Sequence, residues 1–394
     1  MYNFEFYWPV KIIFGVGEIK KVGLESKRLG EKALLVTGRH STKKTGILDK
    51  VVNYLKEEKI KVVIFDEIES NPRSTTVDKG GKIAKEENCD FIIGLGGGSP
   101  MDSAKGISLV AKSEEGVSIW DYMGFLKNPR EINVEPLPVL LIPTLPATGS
   151  EGNCGAVFTN MATHQKVHIM HPALFPKVSI IDPELTVSLT KEQLSYAGVD
   201  IICHLLEPYL TNVGDSFVKD RIAEGIIITV LENLPKLIKN LKDMELRSNL
   251  CWTGTLACSP LRFIAWNGKG YLHWIEHCLS AWTDVPHSEG LSLLLISWLT
   301  NMCKFKFFSS RLSTFGSRVF GISDNEKIIK KFLDFLKSIN VKTKLDKLDD
   351  DLIEKMANTF IEVYSGGKGF VELPTGEKLY REDFIKIYKD SMAM

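Results

Sequence analysis

This chain of 394 residues lacks the charge imbalance, the internal repeats and the low-complexity segments that mark several special classes of protein. Lysine plus arginine and aspartate plus glutamate both number 49, so the formal net charge at pH 7 is zero. A chain without excess positive charge lacks the electrostatic signature of a nucleic-acid-binding or acidic-membrane-binding protein. Internal repeats and low-complexity segments are also absent. We therefore expect neither a nucleic acid nor a membrane as a partner.

The cysteines are too scattered for a disulfide framework. There are seven, an odd number, and no two form a C-x-x-C pair, so we expect reduced thiols. The apolar runs, such as residues 225–231, are far shorter than the roughly 20 residues of a membrane-spanning helix. Residues 1–9 lack the basic and apolar segments of a signal peptide. These observations favour a cytoplasmic protein.

Short apolar runs alternate with amphipathic stretches in the first half of the sequence. The apolar runs predict strands over 10–14, 33–37, 61–65, 91–95, 139–142 and 178–182, with a hairpin over 155–160 and 165–170. The amphipathic stretches predict helices over roughly 17–29, 45–57, 75–88 and 101–112. Strands and helices that alternate over short connections indicate a parallel sheet covered by helices. We expect residues 1–185 to form an α/β, Rossmann-like nucleotide-binding domain.

The strand pattern stops after residue 189. Thr190 and Gln193 have the spacing of a capping box, which begins a helix. Helical periodicity then extends to 212 and recurs over 215–241, 244–257, 272–282, 290–304, 326–338, 350–363 and 380–392. Residues 186–394 are therefore expected to form an all-α domain. The cleft between the two domains is the expected position of an active site.

Two polar turns follow strands in the first half. One, over 94–102, is rich in glycine and leads directly into a helix, and the other covers 143–151. Glycines at such a turn let the backbone approach a diphosphate, and the helix N-terminus offers free N–H groups. A tight turn without a ligand has the same composition, and the glycine turn fits neither G-x-G-x-x-G nor a P-loop. We interpret the turns, with a lysine of the hairpin, as a nucleotide site formed by Gly96, Gly97, Gly98, Ser99, Asp102, Thr144, Leu145, Thr148, Ser150 and Lys166.

Histidines and one aspartate recur at helical spacing in the second half. Asp200 and His204 are four residues apart, as are His273 and His277, and His287 follows on a predicted loop. Positions four apart share a helix face, and one carboxylate with imidazoles suits zinc or ferrous iron. Either pair alone is also common as a surface or core hydrogen bond. Residues 273–277 fit, in addition, the H-x-x-E-H pattern of zinc peptidases, in which Glu276 would activate water.

Taken together, these motifs resemble the iron-dependent (group III) alcohol dehydrogenase family, especially its butanol dehydrogenase and aldehyde reductase branch. The resemblance rests on residues 11–17, 96–105, 143–151, 181–186 and 198–204 and on the histidines that follow. It implies a dehydroquinate-synthase-like fold, NADP or NAD as cofactor, a divalent Fe²⁺ or Zn²⁺ ion, and a homodimer. It also implies that the metal ligands are Asp200, His204, His273 and His287.

The implied reaction interconverts primary alcohols and aldehydes by hydride transfer, with the metal polarising the substrate oxygen. The resemblance places His277 near the nicotinamide, where it is our candidate for relaying the hydroxyl proton. Residues 266–272, residues 274–276 and Ser288 depart from the family pattern, which leaves the identity of the substrate open. A dehydroquinate-synthase-like or glycerol-dehydrogenase-like enzyme on the same fold, a zinc peptidase and a non-catalytic protein remain as alternatives.

The turn after the second predicted strand bears on the choice of nucleotide. The resemblance places Gly38 where family members selective for NAD carry an aspartate, and an acidic residue in this turn would bind the adenine ribose hydroxyls and repel a 2′-phosphate. Arg39 and Ser41 could accommodate that phosphate, with Lys43 and Lys44 nearby. A solvated surface has the same lysine composition. We expect NADP rather than NAD.

Overall fold

The computed structural model describes residues 3–213, 217–264 and 268–393, which form two compact units. One comprises Tyr7–Leu189 with Lys242–Thr255. The other comprises Thr190–Leu241 and Leu256–Met394, with the first residues of the chain up to Phe6. A single boundary after residue 185 therefore does not describe this division, because one later helix packs with the α/β unit.

Six parallel strands form the sheet of the α/β unit, and two further strands form an antiparallel hairpin. In chain order the strands are β1 (Lys11–Phe14), β2 (Lys32–Gly38), β3 (Lys61–Ile68), β4 (Phe91–Gly96), β5 (Val139–Pro143), β6 (Gly155–Asn160), β7 (Gln165–Met170) and β8 (Val178–Ile181). The sheet order is β1-β8-β5-β4-β2-β3, and β6 pairs with β7. Every predicted strand is present, and each boundary lies within three residues of its predicted position.

The core of this unit lies on both sides of the central strands. All residues of β4 and β5 are buried, as expected where helices cover both faces of a parallel sheet. The covering helices are α1 (Val22–Lys27), α2 (Ser41–Lys44), α3 (Ile47–Glu57), α4 (Ser74–Glu86) and α5 (Gly98–Val110). Helix α5 begins three residues before its predicted start, so Gly98, Ser99 and Pro100 form its first turn.

Helices dominate the second half of the chain. They are α6 (Lys191–Thr211), α7 (Phe217–Lys239), α8 (Met244–Ala257), α9 (Tyr271–Thr283), α10 (His287–Met302), α11 (Lys306–Val319), α12 (Asn325–Ser338), α13 (Asp350–Tyr364) and α14 (Arg381–Ala393). The predicted capping box is confirmed, because Thr190 and Gln193 exchange side-chain-to-backbone hydrogen bonds at the start of α6. The predicted start of α7 at Asp215 lies outside the described residues, as do Trp266 and Asn267 of the polar stretch before α9.

Three features of this half differ from the prediction. Helix α11 was not predicted, and neither was the small hairpin of β9 (Val371–Glu372) and β10 (Lys378–Leu379). Helix α10 begins at His287 itself, so this histidine lies at a helix N-terminus and not on a loop. Glu289 in the first turn is typical of a helix start, and Pro286 immediately precedes the helix.

Among the described residues, no single helix has the length and low charge that crossing a bilayer requires. Helices α10 and α11 meet that test only as a pair, across a bend of 117°.

Candidate active site

Three helices of the second unit bring the predicted metal ligands together. Asp200 and His204 share a face of α6, His273 lies in the first turn of α9, and His287 begins α10. The Asp200 Oδ1 atom lies 3.5 Å from His204 Nδ1, 3.5 Å from His273 Nε2 and 3.9 Å from His287 Nε2. The four side chains therefore converge on one carboxylate oxygen.

The atoms at this point fit a divalent cation. Asp200 Oδ1, His204 Nδ1 and His273 Nε2 are buried and have no hydrogen-bond partner among the described residues. Unsatisfied buried polar atoms are costly, so three that face one another indicate a shared ligand. Bonds of about 2.0–2.1 Å to a tetrahedral ion place its ligand atoms about 3.4 Å apart, close to the spacing found here. One carboxylate with imidazoles suits iron or zinc.

Two buried glutamates lie directly behind the histidines. Glu207 on α6 bonds the Nδ1 atom of His273, and its second oxygen accepts the backbone N–H of the same residue at 3.0 Å. Glu276 on α9 bonds the Nδ1 atom of His287 and accepts a hydrogen bond from the Ser280 hydroxyl. Glu207, which follows His204 by three residues on the same helix face, was not predicted as part of the site, and Glu276 was predicted only as a possible peptidase base.

The pKa values of the ligand side chains are shifted by burial and by the charged groups around them. Burial by itself raises the pKa of Asp200, but His204, His273 and His287 outweigh it and hold that pKa well below its usual range. Burial lowers the pKa of His204 to about 3, so its imidazole is in the neutral form that binds metals. For His273 burial is opposed by Glu207 and Asp200, which raise its pKa to about 10.

His277 lies beside this group and not within it. Its ring centroid is 6.5 Å from that of His273 and 5.5 Å from that of His287. Its Nδ1 atom is 3.3 Å from the Tyr364 hydroxyl, and Tyr364 stacks on Trp274 with ring centroids 4.6 Å apart. The atoms of Glu276, His277 and His287 also come within 4.8 Å of one another, but there the carboxylate already bonds His287 and Ser280. A zinc peptidase would need His273 and His277 as joint ligands and Glu276 directed at water, and this geometry does not provide that arrangement.

The two predicted nucleotide turns lie together in the α/β unit. The Thr144 N–H donates to the Gly96 carbonyl at 2.8 Å. A Cβ atom added to Gly98 would lie 2.5 Å from the Thr148 methyl carbon, and one added to Gly97 would contact Leu145 at 3.6 Å. Close approach between the turns therefore explains the glycine at position 98. Ser99 lies in the first turn of α5, next to these contacts.

The other residues predicted for this site have partners within the unit. Asp102 accepts hydrogen bonds from the Ser150 hydroxyl at 2.6 Å and from the Val157 N–H at 2.9 Å. Lys166 is buried and donates to Asn71 Oδ1 at 2.9 Å. These contacts tie the turns and the hairpin to one another.

The residues predicted to select the nucleotide lie at the end of β2. Thr37 pairs with Leu95 of β4, so Gly38 lies beside the glycine turn at the same edge of the sheet. The Arg39 Nε atom donates to the Glu67 carbonyl at 3.2 Å, and Lys43 pairs with Asp66. Among the described residues, a Cβ atom added to Gly38 would have one neighbour within 4 Å, the Ile68 carbonyl oxygen at 3.6 Å, so a larger side chain has room there.

Comparison with known proteins agrees with this arrangement of an α/β unit and a histidine-rich helical unit. The model of the iron-containing alcohol dehydrogenase family matches residues 9–183, and the model of the Fe-containing alcohol dehydrogenase family C-terminal region matches residues 194–392. The probable NADH-dependent butanol dehydrogenase 1 of Bacillus subtilis is 34% identical over the full length of both chains. The NADPH-dependent aldehyde reductase YqhD of Escherichia coli is 32% identical over 88% of this chain and 89% of the reductase.

A solved structure shows the same fold. The crystal structure of NADH-dependent butanol dehydrogenase A from Thermotoga maritima has a TM-score of 0.90 and 34% identity, with 98% of each chain covered. The fold and the site thus define a metal-dependent, nicotinamide-linked dehydrogenase. The chain belongs to the iron-containing alcohol dehydrogenase family, and it interconverts alcohols and aldehydes with NAD(P) as cofactor. The predicted enzyme class is confirmed, and the lyase-like, peptidase and non-catalytic alternatives are not supported.

Proposed function

We propose that Asp200, His204, His273 and His287 hold one divalent cation beside which a primary alcohol or aldehyde reacts. The observation that carries this proposal is the convergence of three buried, otherwise unbonded donor atoms, Asp200 Oδ1, His204 Nδ1 and His273 Nε2. The cation, when bound, supplies Lewis-acid polarisation of the substrate oxygen. In the oxidation direction the substrate carbon loses a hydride to the nicotinamide and its hydroxyl loses a proton.

The protein's own residues orient these groups and move the proton. Asp200 contributes the one negative charge among the four ligands. The imidazoles would bind the cation as neutral donors, and His273 would first lose the proton that Glu207 and Asp200 otherwise hold on it. His277 is the residue that we assign to relay the hydroxyl proton, because it is 3% exposed and lies next to the ligand His287. The Tyr364 hydroxyl, 3.3 Å from His277 Nδ1, holds the ring in place. A histidine is suited to this step because its unperturbed pKa of about 6.5 allows both protonation states near neutrality.

The nucleotide is proposed to bind over the turns of the α/β unit, along Gly96–Ser99 and Thr144–Ser150. The free N–H groups at the start of α5 suit a diphosphate. At Gly38 no carboxylate is present to repel a 2′-phosphate, and Arg39 and Ser41 follow directly, so we propose that NADPH is accepted. The butanol dehydrogenase relatives are named for NADH and the aldehyde reductase relative for NADPH.

We propose short primary alcohols and the corresponding aldehydes as substrates, by similarity to butanol dehydrogenases. We also propose that the protein acts as a homodimer in the cytoplasm. The seven cysteines all lie in the described residues and form no disulfide bonds there, which suits a reducing compartment, and β1 is an edge strand able to pair with a second copy. Light scattering should give twice the chain mass of 44.2 kDa, and a monomeric mass would refute the dimer.

The proposed function is tested by metal analysis combined with rate measurements. Purified protein should contain about one divalent ion per chain, as expected for one four-ligand site. It should oxidise NADPH or NADH with a series of straight-chain aldehydes, and chelation should abolish the rate until the metal is restored. Full activity after complete removal of metal would overturn the assignment.

A further inference from the structure

Glu276 occupies a fully buried position between two elements of the metal site. Its side chain is 0% exposed, and its two oxygens have different partners. One oxygen bonds the Nδ1 atom of His287, and the other accepts the hydroxyl of Ser280, one turn further along α9. The Ser280 hydroxyl also lies 3.1 Å from the Val285 carbonyl, in the connection that leads to His287. The glutamate therefore links α9 to the start of α10.

Gly290 on helix α10 lies directly against this carboxylate. A Cβ atom added to Gly290 would lie 2.7 Å from Glu276 Oε1 and 2.8 Å from Glu276 Cγ. Gly290 is in the right-handed helix, so its role here is to leave space and not to allow an unusual backbone angle. Glycine is less favourable than alanine inside a helix. Its presence at 290 is explained by the glutamate that it accommodates.

The orientation of His287 follows from this contact. With its Nδ1 atom held by the carboxylate, the ring directs Nε2 toward Asp200 Oδ1, 3.9 Å away. Since an ionised carboxylate only accepts hydrogen bonds, it selects the tautomer that carries the proton on Nδ1 and the lone pair on Nε2. A carboxylate behind a metal-binding histidine fixes the ring orientation and raises the basicity of the ligand.

We propose that Glu276 is a positioning residue for the metal site, which holds His287 as a ligand through Nε2 and is itself held by Ser280 and Gly290. The inference rests on the proposed metal site. In this proposal the glutamate of the H-x-x-E-H segment binds and orients His287, whereas in peptidases with this pattern the glutamate activates water. Glu207 bonds the Nδ1 atom of His273 in the same way, but it also binds the backbone of α9, so Glu276 offers the cleaner test.

The test compares the Zn²⁺ affinities of wild-type protein and five variants, one of them His287→Ala, measured on the full-length protein by competition with a chelator. Glu276→Ala should weaken Zn²⁺ binding about 100-fold, because His287 loses its anchor, and Gly290→Ala should weaken it about 10-fold, because its methyl group displaces the carboxylate. Glu276→Gln retains a hydrogen-bond acceptor for His287 but not the charge, so an intermediate loss of about 10-fold is expected. Glu289→Gln is the matched control, since this carboxylate lies on α10 and pairs with Lys342.

A second readout separates positioning from general destabilisation. The visible absorption of Co²⁺-loaded protein reports ligand geometry, and it should change in the Glu276 and Gly290 variants but not in Glu289→Gln. Wild-type Zn²⁺ affinity and an unchanged Co²⁺ spectrum in both Glu276→Gln and Gly290→Ala would overturn the inference, even if Glu276→Ala did not fold. If wild-type protein and His287→Ala bound Zn²⁺ equally, the proposed metal site itself would fail. Loss of binding in His287→Ala with no effect at Glu276 would defeat the positioning role alone.

Discussion

Asp200 Oδ1 lies 3.5 Å from His273 Nε2, although the two residues come from different helices. Neither atom has a hydrogen-bond partner among the described residues, and both are buried. Two such atoms in one place would destabilise the fold unless a cation or proton joins them. The stability of the helical unit therefore depends on the positive charge, either a cation or a proton, that joins this pair.

Replacement of His287 by alanine should remove a ligand and with it most of the bound metal and activity. His277→Ala is the matched control, since its ring lies only 5.5 Å from that of His287 but outside the group around Asp200. We expect His277→Ala to retain its metal while turnover slows about 100-fold, the size typical of a lost general acid–base group. Metal analysis and kcat measurements test both variants. Equal metal content in wild type and His287→Ala would show that His287 is not a ligand.

A carboxylate at position 38 should change the nucleotide preference. The Gly38→Asp side chain has room beside β2. In the nucleotide site that we propose it would face the ribose and repel a 2′-phosphate. We expect kcat/KM for NADPH to fall about 100-fold, the scale of several kcal/mol of like-charge repulsion. The NADH rate of the same variant is the internal control and should be retained or improved. A proportional loss with both nucleotides would indicate damage to the turn instead of discrimination.

Local pattern was sufficient to predict the strands and to single out Asp200 and His204 as neighbours on one helix face, whereas the choice of four metal ligands came from the family resemblance and stays a prediction. The runs over β4 and β5 are apolar because both faces of these strands are buried, and Asp200 and His204 share a face because a helix repeats every 3.6 residues. The sequence also indicated the capping box that starts α6.

The structural features that were not predicted depend on contacts between residues that are distant from one another in the sequence. Helix α11 is rich in serine, a poor helix former, and it is stabilised by the packing of Phe308, Leu312 and Phe315. The partners of Glu207 and Glu276 are likewise on other turns or helices. Helix α8 belongs largely to the α/β unit, to which Arg247 is joined by a hydrogen bond to the Thr186 carbonyl at 2.6 Å, a contact that no periodicity encodes.

Gly98→Ala should distort the turn that we assign to the nucleotide. The added Cβ atom would lie 2.5 Å from the Thr148 methyl carbon, so one of the two turns must shift. We expect a loss of about 1–3 kcal/mol in the free energy of unfolding, the usual range for overpacking, together with weaker nucleotide binding.

Thr148→Ser removes that methyl group, so the double variant should recover part of the lost stability and part of the lost nucleotide binding. An unchanged penalty in the Thr148→Ser background would mean that this contact is not its cause. Thermal unfolding and nucleotide titration provide the two measurements.

Lys219→Met should stabilise the protein at neutral pH. The ammonium group of Lys219 is buried on α7 and has no hydrogen-bond partner among the described residues, and burial lowers its pKa to about 8. Below pH 8 the lysine is charged in both the folded and the unfolded chain, so the full desolvation penalty opposes folding. Between about pH 8 and the unfolded pKa of about 10.4 the folded chain loses the proton first, and the penalty disappears.

A methionine of similar length avoids the penalty, so we expect Lys219→Met to gain on the order of 2–3 kcal/mol in the free energy of unfolding at pH 7, and this gain should fade toward pH 10.4. Lys239→Met, at an exposed position of the same helix, should change stability little at any pH. Urea unfolding of both variants between pH 6 and 10 measures the difference, and a constant or absent gain for Lys219→Met would show that the buried charge is compensated in the native state.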